Sequence, residues 1–400
     1  MSYPVEASLD ESLDEFIPSR MRAIEADMVS LRRHIHAHPE LSFQEFETSE
    51  LVAQRLAEWG YSVHRGLGGT GVVGTLTNGS GKSLGLRADM DALPLTEATG
   101  LDYASKHDGV MHACGHDGHT AMLLAAARVL AELRNFSGTL NLIFQPAEEH
   151  GGGARKMLED GLLERFPCDA VFAMHNMPGV AAGRFGFYEG PFMAAADTVT
   201  IRIVGHGGHG AVPHKAVDPV VASASLVMGL QTIVSRNVDP LETGIVSVGA
   251  IHGGSAPNII PDSVEIRLSV RSLSPAVRAH LQERITALAQ AHAQAYGARA
   301  EVDYERGYPV LINHPDETRL AKSVAREWLG DEGLVHDMRP ITASEDFAYV
   351  LEQCPGCYLL VGNGEGKGGC MAHNPGYDFN DDILSIGASY WVRLTERFLR

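Results

Sequence analysis

The sequence predicts an α/β fold in which a larger domain is interrupted by a smaller, ferredoxin-like domain. Strand-like and helix-like segments alternate over the first half, as they do where helices cover both faces of a sheet. Near residue 197 the order becomes β-α-β-β-α-β, the ferredoxin-like arrangement. The length of 400 residues also exceeds one ordinary core. We therefore expect a larger domain in two parts, 1–196 and 308–400, with 197–307 inserted between them.

The larger domain begins with two segments of helical periodicity, MRAIEADMVSLRRHIHAH and TSELVAQRLAEWG. Short strand-like runs follow, namely GVVGTLT, SLGLRADM, TLNLIFQ and DAVFAMHN, and a helix that begins near Asp117 separates two of them. After residue 308 the same pattern returns, with a helix, the strand CYLLVG and a closing helix. These elements predict a sheet with helices on both faces.

The inserted domain begins with the strand TVTIRIVG, followed by the helix DPVVASASLVMGLQTIVSR and the strand GIVSVGAIHG. It continues with the strand SVEIRLSVR, the helix SPAVRAHLQERITALAQAHAQAYG and the strand RAEVDYERG. In SVEIRLSVR the four apolar residues share one face, so Arg267 and Arg271 lie on the other.

Composition restricts the function classes. A net charge of −18 argues against nucleic-acid binding, which needs a concentrated basic face. Five cysteines are too few and odd in number for a disulfide framework. The start, MSYPVEASLDESLDEF, has no apolar core and does not resemble a signal peptide. The longest apolar run, AMLLAAARVLAEL, is shorter than a membrane span and contains Arg128. We expect a cytoplasmic enzyme with no membrane or nucleic-acid partner.

Residues 112–121 read HACGHDGHTA, a density of cysteine, histidine and aspartate that fits a redox thiol, a structural zinc site or a catalytic metal site. Further metal-type side chains lie near the ends of predicted strands, where α/β sheets place their ligand crevices. They are Asp89, Asp91, Glu148, Glu149 and His175, and His373 lies in the loop MAHNPGYDFND. This recurrence favours a catalytic metal site.

The adjacent pair Glu148 and Glu149 follows a strand and a proline, so the two side chains are expected to diverge. A metal hydrolase needs both a carboxylate that holds the cation and a base that takes a proton from water. The pair offers both. Asp91, two residues beyond Asp89, could orient a ligand, although a solvated loop acid is the simpler alternative.

Three simpler interpretations stay open. Cys114 could be an ordinary buried thiol, whereas a structural zinc finger lacks its second ligand pair. Cys354 and Cys357 form a CxxC, but no nearby cysteine or histidine pair completes a site, and we interpret them as incidental. The three histidines of RRHIHAHPE could bind metal, although a helix end before a proline explains them without one; they are His34, His36 and His38.

Eight motifs occur in order along nearly the whole chain: RADMDALP, HACGHDGHTA, FQPAEE, AMHNMP, GHGGHGAVPH, PNIIPD, SEDF and AHNPGYDFND. In these motifs the chain resembles the M20 metallopeptidases, in particular the amidohydrolase branch of hippurate hydrolases, N-acyl-amino-acid deacylases and plant auxin-conjugate hydrolases. The resemblance implies that the metal ligands are Cys114, His116, Glu149, His175 and His373. It further implies that Glu148 is the general base, that Asp91 supports it, and that the inserted domain is a lid that dimerises.

The resemblance also assigns substrate contacts. It implies that Asn258 and Arg271 recognise the carbonyl and carboxylate of the substrate, and that His209 stabilises the oxyanion, often across the dimer. His206 and His214 are less clearly implied. Two-zinc peptidase relatives carry histidine in place of Asp89, and a thiolate ligand favours zinc over magnesium or calcium. We expect one or two divalent cations per subunit, zinc first, with manganese, cobalt or nickel as alternatives.

The predicted function is metal-dependent hydrolysis of an N-acyl or N-aroyl amino acid to a carboxylic acid and a free amino acid. The predicted assembly is a homodimer or a dimer-based tetramer. A dipeptidase or another M20-type peptidase is the alternative within the enzyme class. A non-catalytic homologue that binds metal or ligand would not need Glu148, and a thiol oxidoreductase built on Cys114 lacks a resolving cysteine in the motif.

Overall fold

Residues pack into two units in the computed structural model, which describes residues 18–365 and 370–400. The first unit comprises the described residues up to Gly190, with Asn313–Arg339 and Tyr349–Arg400. The second comprises Pro191–Ile312 and Pro340–Ala348. The acidic segment MSYPVEASLDESLDEF lies outside the described residues. The predicted division into 1–196, 197–307 and 308–400 as functional domains stays a prediction.

Strands and helices alternate along much of the chain. The strands are β1 Ser62–Leu67, β2 Gly71–Asn78, β3 Ser83–Asp89, β4 Gly138–Gln145, β5 Ala170–Pro178, β6 Phe185–Gly186, β7 Gly190–Met193, β8 Ala195–Val204, β9 Gly208–His209, β10 Gly244–His252, β11 Ile259–Ile260, β12 Ser263–Ser272, β13 Arg299–Arg306, β14 Leu311–Asn313 and β15 Gly356–Gly364. The α-helices are α1 Ser19–Arg22, α2 Glu25–Ala37, α3 Phe46–Glu58, α4 His116–Leu133, α5 Gly153–Glu159, α6 Leu162–Arg165, α7 Pro219–Asn237, α8 Pro275–Ala295, α9 Pro315–Leu329, α10 Ala348–Leu351 and α11 Leu384–Phe398. The short 3-10 helices are Pro213–Lys215, Asp331–Gly333 and Asp381–Ile383.

The first unit is built on a seven-stranded sheet in the order β1-β2-β4-β3-β5-β15-β6. The central strands β4, β3, β5 and β15 are parallel to one another, and the outer strands pair antiparallel. Strand β3 ends at Asp89, β4 ends three residues before Glu148, and the second half of β5 carries His175. Because parallel strands present their carboxyl ends at one edge, these residues lie on the same side of the sheet.

Helix α4 is almost entirely buried against this sheet, which explains its composition. Its residues from His116 to Ala127 are all buried, and the apolar ones belong to one core with side chains of β3, β4 and β5. A helix that is apolar nearly all round is stable only inside a protein, so α4 is fixed in place by packing. Its N-terminus starts one residue before the predicted position.

The second unit contains a four-stranded antiparallel sheet in the order β10-β12-β8-β13. With α7 after β8 and α8 after β12, this is the β-α-β-β-α-β order of a ferredoxin-like fold, and the predicted fold class is confirmed. Apolar residues of both helices and of the sheet form one core. On β12 the four apolar side chains are buried, Arg267 is exposed and Arg271 is half-buried, as predicted from the alternation.

No helix in residues 18–365 and 370–400 is long and apolar enough to cross a membrane. The long helix α4 is apolar because it packs in the core of the first unit.

Candidate metal centre

A sharp turn at Gly115 separates Cys114 from His116 at the start of α4. Gly115 has a φ of 96°, in the left-handed region that favours glycine. A Cβ atom there would lie 2.3 Å from Oδ1 of Asn176 and 2.6 Å from the hydroxyl of Tyr377. Only glycine therefore fits, and the turn lets both flanking side chains join one cluster.

All five predicted metal ligands lie in two overlapping groups. Ligand atoms of Cys114, His116 and His175 lie within 4.8 Å of one another, and so do those of Cys114, Glu149 and His373. The two groups share the thiol of Cys114. The predicted base Glu148 is buried and forms a further group with His116 and Glu149. The structure therefore brings together residues that are up to 259 positions apart in the chain, from Cys114 to His373.

His116 has a buried nitrogen that no described residue satisfies. Its Nε2 atom has no hydrogen-bond partner and lies 3.8 Å from Oδ2 of Asp89 and 3.8 Å from Oε1 of Glu149. Both separations are too long for hydrogen bonds, and the separation from Glu149 suits two atoms directed at a shared cation. Burial lowers the pKa of His116, but Asp89 and Asp91 outweigh burial and raise it to about 10. The position therefore attracts positive charge.

His175 presents the nitrogen that a metal would need. Its Nδ1–H donates to the carbonyl oxygen of Asn176 at 2.6 Å, which leaves the lone pair on Nε2. That Nε2 lies 3.3 Å from Sγ of Cys114. Burial and the neighbouring His119 hold the pKa of His175 well below its ordinary value, so the ring is neutral. A neutral imidazole fixed through its other nitrogen is the form that binds metals.

Cys114 adds sulfur to the set of potential ligands. Burial, together with the negative charges of Glu149 and Glu148, raises the pKa of its thiol well above the ordinary range. A bound cation would offset those charges and stabilise the thiolate. Thiolate, imidazole and carboxylate ligands are the combination that zinc and related divalent cations take. The residues present therefore fit such a cation.

Asp91 lies next to the cluster and supports it through hydrogen bonds. Its two carboxylate oxygens accept the backbone N–H groups of Glu148 and Glu149, each at 3.0 Å. Oδ2 also accepts the hydroxyl of Ser42 at 2.7 Å, and Oδ1 lies 3.3 Å from Nδ1 of His116. One buried carboxylate thus holds the main chain of the glutamate pair and orients a histidine, the geometry that a supporting role requires.

Asp89, to which the resemblance assigns no role, is paired with neighbouring protein groups. Arg87 donates to its Oδ2 at 2.7 Å, and Nδ1 of His119 lies 2.6 Å from its Oδ1. Burial raises the pKa of Asp89, but His116, Arg87 and His119 outweigh burial and hold it well below the ordinary value. Asp89 is thus an ionised carboxylate in the layer behind the potential ligands.

His119 is a residue of this layer that sequence analysis missed. Its Nε2 lies 2.8 Å from Oδ1 and 3.0 Å from the backbone nitrogen of Asn176, so both ring nitrogens are engaged by protein atoms. Its ring centroid lies 4.4 Å from that of His175. A signal was present, because His119 follows His116 by three residues and therefore shares its helix face.

The histidines of RRHIHAHPE have another explanation. His36 is buried, and its Nδ1 lies 2.8 Å from Oδ2 of Asp117 while its Nε2 lies 3.4 Å from Oε1 of Glu97. In the part of the chain that the structure describes, none of the potential metal groups includes His34, His36 or His38.

Cys354 and Cys357 are free thiols that are buried in the first unit. Neither takes part in a potential metal group among the described residues.

The second unit brings together His209 and Asn258. They lie on neighbouring segments, because β9 pairs with β11 and the N–H of Gly210 donates to the carbonyl oxygen of Asn258 at 2.8 Å. Both residues are exposed, and Nδ1 of His209 accepts the N–H of Ala211. His206 forms an isolated bridge with Val217.

His214 is exposed in the 3-10 helix Pro213–Lys215. Arg271 is half-buried and donates from Nη1 to Oγ of Ser344 at 3.0 Å, a partner that the sequence did not predict.

Comparison with known proteins identifies the family. A profile of peptidase family M20/M25/M40 matches residues 85–397. The chain is 45% identical to the hippurate hydrolase of Campylobacter jejuni over 94% of this chain and 98% of that protein. It is 42% identical to the N-acetyl-L-cysteine deacetylase of Bacillus subtilis over 98% of this chain and 93% of that protein. The crystal structure of the YXEP protein of Bacillus subtilis, described as a dinuclear metal-binding peptidase from the M20 family, matches with a TM-score of 0.83 and 33% identity over 94% of this chain and 99% of that chain. The chain therefore belongs to peptidase family M20/M25/M40.

Proposed function

We propose that this protein is a metal-dependent amidohydrolase that cleaves N-acyl or N-aroyl amino acids to a carboxylic acid and a free amino acid. The observation that carries the proposal is the cluster in which Glu148 stands beside ligand-type side chains without belonging to either of the two three-residue groups that contain the five predicted ligands. The similarity to a hippurate hydrolase and an N-acetyl-L-cysteine deacetylase, which act on acylated amino acids, supports the same substrate class.

Five residues would hold the metal: Cys114, His116, Glu149, His175 and His373. We propose one or two divalent cations per subunit, with zinc first and manganese, cobalt or nickel as alternatives, since the set combines sulfur, nitrogen and oxygen. When bound, such a cation supplies polarisation of the amide carbonyl and a lowered pKa for the attacking water.

Glu148 is the general base in this mechanism. Its carboxylate takes the proton from the attacking water and passes it to the leaving nitrogen when the tetrahedral intermediate collapses. Asp91 keeps the base in place, because it accepts the N–H of Glu148 and thereby fixes the main chain from which the carboxylate projects. Burial of Glu148 limits access of bulk water to the transferred proton.

The substrate contacts that we propose lie on the second unit. Arg271 pairs with the substrate carboxylate through charged hydrogen bonds, and Asn258 donates to the acyl carbonyl. His209 stabilises the oxyanion of the tetrahedral intermediate in the cleft of the partner subunit. This sharing requires a homodimer or a dimer-based tetramer, with residues 197–307 as the lid and dimerisation domain. We place the enzyme in the cytoplasm, acting on a small-molecule substrate.

A substrate panel tests the proposal. Purified enzyme is incubated with benzoyl, acetyl, succinyl and indolyl amino acids and with dipeptides, while its bound metal is measured in parallel. We expect bound divalent metal and hydrolysis of at least one acyl amino acid in preference to every dipeptide. Faster cleavage of dipeptides would favour the dipeptidase alternative. Bound metal without hydrolysis of any amide would favour a non-catalytic homologue.

A further inference from the structure

Three consecutive peptide N–H groups in the loop after β4 donate to two buried carboxylates. Ala147 donates to Oε1 of Glu45 at 2.9 Å. Glu148 and Glu149 donate to Asp91, each at 3.0 Å. The proposed function uses the last two residues as base and ligand, and Asp91 as their support. Glu45 has no part in it, although it holds the peptide group immediately before the base.

Ala147 has an unusual backbone conformation. Its φ is 52°, in the left-handed region, which is sterically unfavourable for a residue with a Cβ atom. The residue is fully buried, and its carbonyl oxygen accepts the N–H of Gly153 at 2.9 Å. A non-glycine residue persists in this region only where its surroundings enforce the conformation. The hydrogen bond from its N–H to Glu45 is such a constraint.

Glu45 is itself held rigidly. Its side chain is fully buried. Oε1 also accepts the N–H of Phe43 at 3.0 Å, and Oε2 accepts the hydroxyl of Thr70 at 2.5 Å. The carboxylate therefore has donors from three separate loops, and it cannot follow Ala147 if that residue relaxes. Its position is set by α3, whose N-cap it occupies.

We infer that Glu45 is a positioning residue for the reaction: it enforces the left-handed turn at Ala147 and so holds the carboxylates of Glu148 and Glu149 at the cluster, where they lie within 4.8 Å of each other, one for the proton and one for the metal. This inference rests on the proposed function. In an ordinary extended or helical conformation, Ala147 would direct the following peptide elsewhere, and Asp91 alone would have to hold both glutamates.

The Glu45→Ala variant removes the acceptor. Loss of a partner behind a metal site costs about 10- to 100-fold in metal affinity or activity. We expect kcat to fall within that range, KM to change little, and the metal affinity of the apoprotein, measured by chelator competition, to weaken as well. In the Glu45→Gln variant the amide oxygen can still accept from Ala147, so most of kcat should be retained. Equal losses in the two variants would contradict the hydrogen-bond argument.

The Ala147→Gly background distinguishes positioning from a general loss of structure. Glycine adopts a positive φ without the steric cost that alanine incurs. Measured against Ala147→Gly as parent, the Glu45→Ala change should therefore reduce kcat and metal affinity by a much smaller factor than it does in the wild type. An equal factor in both backgrounds would overturn the inference.

Glu40→Ala is the matched control. Glu40 lies in the same loop as Glu45, and its side chain accepts the N–H groups of Glu47 and Thr48 at 3.0 and 2.9 Å. Among the described residues, this side chain has no hydrogen bond to the loop after β4. It should lower stability without the loss of metal affinity. Comparable loss of metal affinity in Glu40→Ala would overturn the positioning role. If the wild type hydrolyses no amide, the proposed function fails, but the metal-affinity measurements still test the turn.

Discussion

Oδ1 of Asp91 accepts the backbone N–H of Glu148 at 3.0 Å, so the main chain at the proposed base is fixed independently of its side chain. The Glu148→Gln substitution therefore removes the carboxylate that accepts the proton but keeps the hydrogen bond from the backbone N–H of this residue to Asp91. We expect turnover to fall at least about 100-fold, the lower range for general base catalysis. Metal content should stay close to that of the wild type. Steady-state kinetics with metal analysis checks both, and near-normal turnover would exclude Glu148 as the base.

Cys114→Ser should lose metal together with activity. The thiol is shared by both groups of potential ligands, and a hydroxyl is a much poorer ligand than a thiolate. Loss of a residue that only supports a metal ligand weakens metal affinity by at least roughly 10-fold. We expect loss of the Cys114 thiol, as a ligand, to weaken metal affinity by more than that. The metal content is measured after dialysis. The sulfur-to-metal charge-transfer absorption of the cobalt-substituted protein provides a second measurement. Full metal content in the variant would return Cys114 to an ordinary buried thiol.

Arg271→Ala should raise KM for acyl amino acids by about 10- to 100-fold, which corresponds to loss of a charged hydrogen bond. Amidated analogues, which lack the carboxylate, should be affected far less. Arg267→Ala is the control, because Arg267 lies on the same strand and the same face but is exposed. Equal losses on both substrates would mean that Arg271 serves the fold, where it also holds Ser344.

His209→Ala and Glu148→Gln should complement each other if His209 acts in the cleft of the partner subunit. Each homodimer is expected to be nearly inactive. Equal amounts of the two variants, fully exchanged, give half heterodimers with one competent site of two, so activity should recover to about a quarter of the wild type. Subunit exchange is followed with a mass-tagged chain. Exchange without recovery would place His209 in its own cleft or outside the reaction.

His36 should make stability depend on pH. Burial lowers its pKa, but hydrogen bonds to Asp117 and Glu97 outweigh burial and raise it from 6.5 to about 9. Because the folded-state pKa is the higher one, protonation stabilises the fold fully below pH 6.5, and this contribution disappears as pH rises through 9. The free energies of unfolding of the wild type and of His36→Gln are measured by urea denaturation in the presence of a metal chelator. They should differ more at about pH 6 than at about pH 10. A difference that is independent of pH would show that folding does not shift the pKa of His36.

Much of the fold and of the site could be predicted because the signals are local. Alternation in SVEIRLSVR separates Arg271 from the buried face of its strand within nine residues, since side chains alternate across a strand. Buried strands that end in Asp89 or shortly before Glu148 predict where ligand-type residues gather, because parallel strands share an edge. Both inferences use only the periodicity along a single strand and the position at which that strand ends.

Local sequence patterns specify the change from alternating strands and helices to the β-α-β-β-α-β order, the order of the elements and the residue types available for chemistry. The hydrogen-bond partners behind the site, in contrast, depend on how the elements pack in three dimensions. Glu45 contacts Ala147 across 102 positions, and His119 contacts Asn176 across 57. No periodicity encodes such a pair, because a buried carboxylate accepts from whichever N–H group the packing brings within about 3 Å. The requirement that buried polar groups be satisfied is general, but which group satisfies which is fixed only when the elements pack.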